Sequence, residues 1–460
     1  MLNPQKVFSK TWTITPNSIK KIISKIPLTR QVCALTMFGG IHYYKYYKKL
    51  QKMQEWNPEK INNYQSKQIK KIINYAYENI PYYRNLFKKE NIKPSQIRCT
   101  DDLKRIPILT KSEILKDPSK FISKKNKAFT TKLTGGSSGT PMSIAYDLKH
   151  YASRRATTRF FKNLAGYDDY TIRLGIPSLG PLYKTNQEFY EYNPITNQIF
   201  ISSTHLSKEI FQKYINIIRK YNPQYAEGHP SVFYKFALYL KEKNITNIQL
   251  KSLQSCGEVL YPFQRDAISK TFNCEIFDFY ANEEGICYAS ECKSHNGMHI
   301  SPIMGFVEIE NQKENQPGEI IATGLCNYYM PLIRYNLQDM GIITTEKCEC
   351  GNSFSRLTSV IGRSNDTIIL PDKTQIPPNH FTSAMEKFRF AEGFQIIQED
   401  QKNININIVK KGKINLKETK ILKKYMESLT KNQMTISINQ VKDINPIGRK
   451  NKYKYIISKI

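Results

Sequence analysis

The sequence predicts an α/β protein: a large N-terminal α/β domain carrying a β subdomain, followed by a small C-terminal α+β domain. Three observations predict it. Between residues 150 and 300, short apolar runs alternate with helical stretches, the pattern of a largely parallel sheet covered by helices. From 300 the texture changes to closely spaced β runs. Past a boundary near Ile361–Asp366, a β-β-α-β pattern fills the remaining chain, enough for a small unit of its own.

The elements follow in order. Residues 45–95 read as helical, because apolar residues in INNYQSKQIKKIINYAYENIPYYRNLF recur at spacings of three and four, with a break at Pro81. IPILTKSEIL (106–115) is a connector and a helix start, with Thr110 as cap and Glu113 three residues on. TIRLGIPS (171–178) is a strand. SKEIFQKYINIIRKY (207–221) is a helix capped by Ser207. PQYAEGHP is a strand and turn, and SVFYKFALYLKEKN (231–244) a helix. LKSLQSCGE (250–258) is a strand ending in glycine, PFQRDAISKTF a helix and CEIFDFY (274–280) a strand. In such sheets ligands collect at the strand C-terminal ends. GFVEIE, GEIIATG, PLIRYN and GIITT form the β subdomain, about 300–360. In the last segment GFQIIQED and NININIVKK are strands, the second with Ile404, Ile406 and Ile408 on one face. LKETKILKKYMESLT (416–430) is a helix and MTISINQVKDI (434–444) a strand. The division is an N-terminal helical extension at 1–50, a large domain at 51–362 and a small one at 363–460.

Bulk properties narrow the setting. The chain has 460 residues, 40% hydrophobic, enough for more than one domain. No run of about 18 apolar residues exists for a spanning helix, and the opening residues have no apolar signal-peptide core. VCALTMFGGI (32–41), followed by the basic YYKYYKKLQKMQ, reads as a buried helix end, with a membrane-surface patch as the alternative. The formal net charge is +30. Its lysines are spread along the whole chain beside Asn and Ile, which argues against a specific nucleic-acid partner and leaves weak membrane-surface association open. Nine cysteines, an odd count without a secretion signal, point to a reducing cytoplasmic compartment, at most peripheral to the inner face of the membrane.

Two stretches carry chemistry by themselves. In TKLTGGSSGTPMSIAYD, Gly135, Gly136 and Gly139 stand among Ser137, Ser138 and Thr140. Glycines permit close approach, and successive backbone N–H groups with hydroxyls make an anion nest suited to a polyphosphate. No G-K-[ST] follows, so this is not a Walker A loop. The second signal is ECKSHNGMHI with CECGNS, which offer Cys292, His295, His299, Cys348 and Cys350. Three thiolates and one imidazole make a closed tetrahedral zinc site, structural rather than catalytic. Cys256, Cys274, Cys287 and Cys326 sit in apolar runs and read as core. His229, in AEGHPS, reads as a hydrogen-bonded structural histidine.

Five motifs in order then share one resemblance. TGGSSGTP, SCGEVL (255–260), FYANEEG (279–285), MPLIRYNLQD (330–339) and VIGRSNDTII (360–369) resemble the phosphate loop, adenine-site strand end, Tyr-Gly-x-Thr-Glu element, Tyr-Arg-x-Gly-Asp element and hinge of adenylate-forming enzymes. Residues 64–114 look like the opening of the phenylacetate–CoA ligase-like family, closest to its capsular-polysaccharide biosynthesis members.

The resemblance implies ATP-dependent activation of a small carboxylate to acyl-AMP with release of pyrophosphate. Acyl transfer to coenzyme A, or to a glycan or amine acceptor, follows. It implies that Thr134, Gly136, Ser137, Ser138 and Gly139 wrap the ATP phosphates, and that Gly257 and Glu258 line the adenine site. Tyr280 would stack near adenine, Asp339 accept the ribose hydroxyls, and Arg363 lie near ribose and phosphate, with Asp366 as the pivot of a mobile domain. Glu284, with Glu283 as the neighbouring register, would hold Mg²⁺. Lys450 would stabilise the charge developing in adenylation, with Arg449 and Lys452 as alternatives. Related members carry a similar cysteine pattern, which favours His299 over His295 beside Cys292, Cys348 and Cys350. Gly135, Ala281, Glu283, Gln338 and Arg449 depart from the family pattern. Those at Gly135, Gln338 and Arg449 motivate the alternative of a non-catalytic adenylate-binding or scaffold protein.

Overall fold

A computed structural model describes residues 38–134, 141–168, 171–176, 190–193, 196–201, 208–310, 317–363, 366–376, 378–388, 390–410, 412–444 and 453–460. Helices α1 (Ile41–Met53), α2 (Pro58–Asn79) and α3 (Pro81–Lys89) come first. Asn57 caps α2 by accepting the Lys60 N–H, with Pro58 at the first helical position. Ile69, Ile72, Ile73 and Ala76 are its buried stripe. Pro81 is both the expected break and the first residue of α3, because the residue before a proline avoids the helical region and Ile80 is extended. Thr110 and Glu113 form the expected capping box of α4 (Lys111–Lys116).

The hairpin β1 (Thr130–Leu133) and β2 (Ser143–Tyr146) is the stem of the Gly/Ser loop, whose residues 135–140 lie outside those described. Asp147 then caps α5 (Leu148–Leu164) by accepting the His150 N–H at 2.8 Å. In the alternating region β3 (Arg173–Ile176) is followed by β4 (Tyr190–Asn193) and β5 (Gln198–Ile201), which the apolar runs did not mark; the rest folds as read: α6 (Lys208–Tyr221), β6 (Tyr225–Gly228), α7 (Pro230–Glu242), β7 (Ser252–Cys256), α8 (Pro262–Phe272) and β8 (Glu275–Ala281). Strands β5, β3, β6, β7 and β8 lie side by side and parallel, with β4 antiparallel at the edge. Ser207, expected to cap α6, lies outside the described residues.

Strands β9 (Tyr288–Glu291), β10 (Met298–Ile300), β11 (Gly305–Glu310), β12 (Gly318–Gly324), β13 (Tyr335–Thr344) and β14 (Arg356–Arg363) are antiparallel. They continue the same ladder through β9 on β8, so one sheet of twelve strands runs β11-β12-β13-β14-β10-β9-β8-β7-β6-β3-β5-β4.

The C-terminal unit holds β15 (Ile368–Ile369), β16 (Gln375–Ile376), α9 (Pro378–Glu386), β17 (Gly393–Gln398), β18 (Asn403–Val409), α10 (Leu416–Leu429), β19 (Thr435–Val441) and β20 (Ile456–Ser458). Its sheet runs β19-β18-β17-β20. Ile404, Ile406 and Ile408 face its core and are essentially inaccessible. Each such side chain contributes about 1.5–3 kcal/mol by leaving water. β20 lies parallel to β17 at the edge of this sheet. Among the described residues, no helix is long and apolar enough to cross a membrane.

Candidate active site and metal centre

A cavity of about 460 Å³ opens where β6, β7 and β8 end, walled further by β13, β14 and the chain segment from Tyr453 to Ile456. Each wall has a local cause. Past β6, His229 is 4% exposed and bonds through Nδ1 to Glu258 Oε1 at 2.9 Å. Past β7, Gly257 has φ +82°, and a Cβ there would lie 3.1 Å from His229 Nε2, so glycine serves both the turn and the approach. The other Glu258 oxygen accepts the Ser231 N–H at 3.3 Å.

Past β8 the chain turns through Asn282–Gly285. Asn282 Oδ1 accepts the Ile286 N–H at 3.1 Å, and Gly285 sits at φ +69°. The turn is held from below by α5. Arg154 Nη1 donates to the Glu283 carbonyl at 2.9 Å and its Nη2 lies 3.5 Å from the Glu283 carboxylate. Tyr146 Oη also donates to that carbonyl. His150, fully buried against Tyr146, lies beneath Gly285, and burial holds its imidazole well below the ordinary value and so neutral. Both acids of the turn line the cavity, and Glu283 is tied to Arg154.

On the opposite wall Tyr280 Oη donates to Asp339 Oδ2 at 2.6 Å. Burial, then this carboxylate, pushes the Tyr280 phenol well above its ordinary value. Asp339 stands opposite Arg363 in the β13–β14 ladder. Gln338 before it adopts φ +60°, the left-handed region that glycine takes most readily. Thr134 closes the phosphate-loop stem twice: its N–H donates to the Met142 carbonyl and its Oγ1 accepts the Met142 N–H, both at 2.9 Å. The C-terminal unit touches the cavity through the Tyr453 N–H on Glu258 Oε1 at 3.1 Å and through Lys454 Nζ on Asp366 Oδ1 at 2.7 Å.

The cavity therefore brings together Thr134, Gly257, Glu258, Tyr280, Glu284 and Asp339, with Asp366 on its rim. Gly136, Ser137, Ser138, Gly139 and Lys450, with its alternatives Arg449 and Lys452, lie outside the described residues. Arg363 is placed by its backbone as the last residue of β14. Sequence reasoning did not single out Arg154 or Lys454. Nothing local distinguishes them, since Arg154 reads as a helix-surface cation and Lys454 as part of a basic tail. His229, read there as structural, bonds to Glu258 and also lines the cavity.

The second group is Cys292, His299, Cys348 and Cys350, whose ligand atoms all lie within 4.8 Å of one another. Cys292 and Cys348 Sγ are 3.7 Å apart, and Cys350 Sγ is 3.3 Å from His299 Nε2. His299 Nδ1 faces the Phe354 carbonyl at 3.3 Å, the outer contact that orients a metal-bound imidazole. Burial lowers this imidazole to about 4, so it is neutral and able to ligate near pH 7. His295 is turned to Glu291, 3.1 Å from its Oε2. Three sulfurs and one nitrogen fit a structural zinc ion, tying the β9–β10 turn to the β13–β14 turn.

Comparison with known proteins follows this geometry. Residues 368–459 match the family model described as the CapK C-terminal domain. Protein CapK of Staphylococcus aureus is 27% identical over 392 residues, spanning 81% of this chain and 85% of that protein. A phenylacetate-coenzyme A ligase of Thermus thermophilus is 23% identical over 339 residues, spanning 68% and 72%. Over two thirds of its length the chain is thus similar to a phenylacetate-coenzyme A ligase. Its fold agrees with that likeness. A solved 2-hydroxyisobutyryl-CoA ligase in the postadenylation state, bound to an acyl-AMP, superposes with a TM-score of 0.73 at 14% identity, covering 89% of this chain and 91% of that one. Within this chain, the C-terminal match covers the unit that supplies β20 and Lys454.

Proposed function

We propose that the protein is an adenylate-forming ligase. A carboxylate attacks the α-phosphorus of ATP, the bond to the bridging oxygen breaks, and pyrophosphate leaves with acyl-AMP remaining. A thiol, coenzyme A in the family's usual reaction, then takes the acyl group and releases AMP. The observation that carries this reading is the single cavity in which Asp339, Tyr280, Glu284 and Thr134 converge at the strand ends under a C-terminal segment. In this reading Asp339 binds the ribose, and Thr134 begins the phosphate cradle. Glu284 carries Mg²⁺, a hard ion that prefers oxygen ligands. Arg154 and His150 position the Glu284 turn. Likeness to Protein CapK, together with the capsule-type resemblance of residues 64–114, supports a place in surface-polysaccharide assembly.

The test is ATP–pyrophosphate exchange against aryl acids, short hydroxy acids, amino acids and other small carboxylates. Exchange with a member of the panel is the expected outcome; tight ATP binding without exchange for any acid would favour the scaffold reading. Two variants sharpen it. Glu284→Gln is expected to raise the Mg²⁺ concentration for half-maximal exchange at least tenfold while ATP still binds. Lys450→Ala is expected to suppress exchange yet leave thioester formation from synthetic acyl-AMP. If Lys452→Ala does so instead, the catalytic cation lies two residues later.

A further inference from the structure

A second polar cluster lies on the α5 side of the sheet, away from Asp339 and unused by the nucleotide contacts above. Glu227 on β6 accepts from Lys162 Nζ at the end of α5 and from Gln198 Nε2 on β5. Gln198 Oε1 in turn accepts Arg173 Nη2 at 3.0 Å. Gly175 makes the room: a Cβ there would lie 2.6 Å from Gln198 Nε2. The Lys162 and Glu227 side chains are only 11% and 19% exposed.

Charge is unbalanced in this cluster. Among the described residues, Lys162 and Arg173 are the cations of the cluster and Glu227 its anion, which leaves one positive charge over. Among the same residues, Arg173 Nε is buried without an acceptor. Burial, then Arg173, lowers the Lys162 ammonium to about 8 although Glu227 pulls the other way. Charge held away from water is costly until it is paired and hydrogen-bonded.

The cluster also adjoins the cavity. Glu227 pairs with Gln254 across β6 and β7. Cys256, two residues beyond Gln254, therefore faces the same side, and it lines the cavity. Glu227 itself stands two residues before His229 on the cavity wall.

Resting on the adenylation reading, we propose that the acid activated here is a small dicarboxylate. One carboxyl lies at the ATP phosphates, and the second docks on Lys162 and Arg173. That anion neutralises the cluster and gives Arg173 Nε an acceptor, a charge-assisted contact that an aryl or alkyl chain cannot make.

The test is ATP–pyrophosphate exchange with matched pairs: succinate against butyrate, glutarate against valerate, adipate against hexanoate. At least one diacid is expected to exceed its monoacid tenfold or more in kcat/KM. Lys162→Met and Arg173→Met are each expected to raise the KM for that diacid at least tenfold, with the KM for ATP within threefold of the parent. Lys162→Met leaves Glu227 without its cation. If that variant does not fold, Lys162→Met/Glu227→Gln removes both charges together and carries the same expectation. Monoacids used as well as diacids, or variants with unchanged diacid KM, would overturn the proposal while leaving adenylation standing. Absence of exchange with every acid in the wider panel, with ATP bound, would instead overturn adenylation and this proposal with it.

Discussion

Asp339→Ala is expected to abolish measurable ATP binding and, with it, pyrophosphate exchange. A carboxylate accepting two ribose hydroxyls makes two charge-assisted hydrogen bonds, each worth about 1.5–3 kcal/mol, so affinity should fall roughly a hundredfold or more. The geometry adds a second expectation. Asp339 already accepts from Tyr280 at 2.6 Å, so the alanine variant also frees a buried phenol. Tyr280→Phe removes that contact alone, leaves the carboxylate for ribose, and should weaken ATP only a few-fold. Calorimetric titration of ATP into both variants, with circular dichroism to verify the fold, separates the two. Unchanged affinity in Asp339→Ala would remove the ribose assignment.

Cys348→Ser is expected to release the metal and to destabilise the large domain. Structural zinc contributes about 10–16 kcal/mol of apparent binding energy in small zinc-dependent peptides. Even a fraction of that should lower the melting temperature by roughly 10 °C in a chain of this size. The four donors span two turns of the sheet, so without the ion those turns lose their tie. His299→Ala should lose zinc as well, whereas His295→Ala should keep it, because His295 faces Glu291 instead. Elemental analysis should find about one zinc per chain in the parent. A stable parent protein without metal would sink the site.

Much of the large domain was legible because its periods are local. The alternation of apolar runs and helical stretches gave each parallel strand from β3 to β8 except β5, and Ile404, Ile406 and Ile408 marked β18 by period two alone. What escaped was nonlocal. No local period says that β9 pairs with β8, so the β runs after 300 read as a subdomain of their own, although their ladder continues the main sheet. β20 is three residues in a basic tail, too short for any period to show. Within the site, Glu284 and Asp339 were readable because motifs carried them. Arg154 was not, since its meaning comes from Glu283, far along the chain. Gln338 read as a departure from the family pattern. Its φ of +60° shows why glycine suits that position, for glutamine takes the left-handed conformation at a cost of about 1–2 kcal/mol.

Glu258 accepts from His229 Nδ1 and the Ser231 N–H of the large domain and from the Tyr453 N–H of the C-terminal unit. Any swing that lifts Tyr453 away leaves this buried carboxylate one donor short while its bond to His229 stays in place. The position of the C-terminal segment would thus be communicated to the cavity floor through a single carboxylate, without movement of the sheet that carries it.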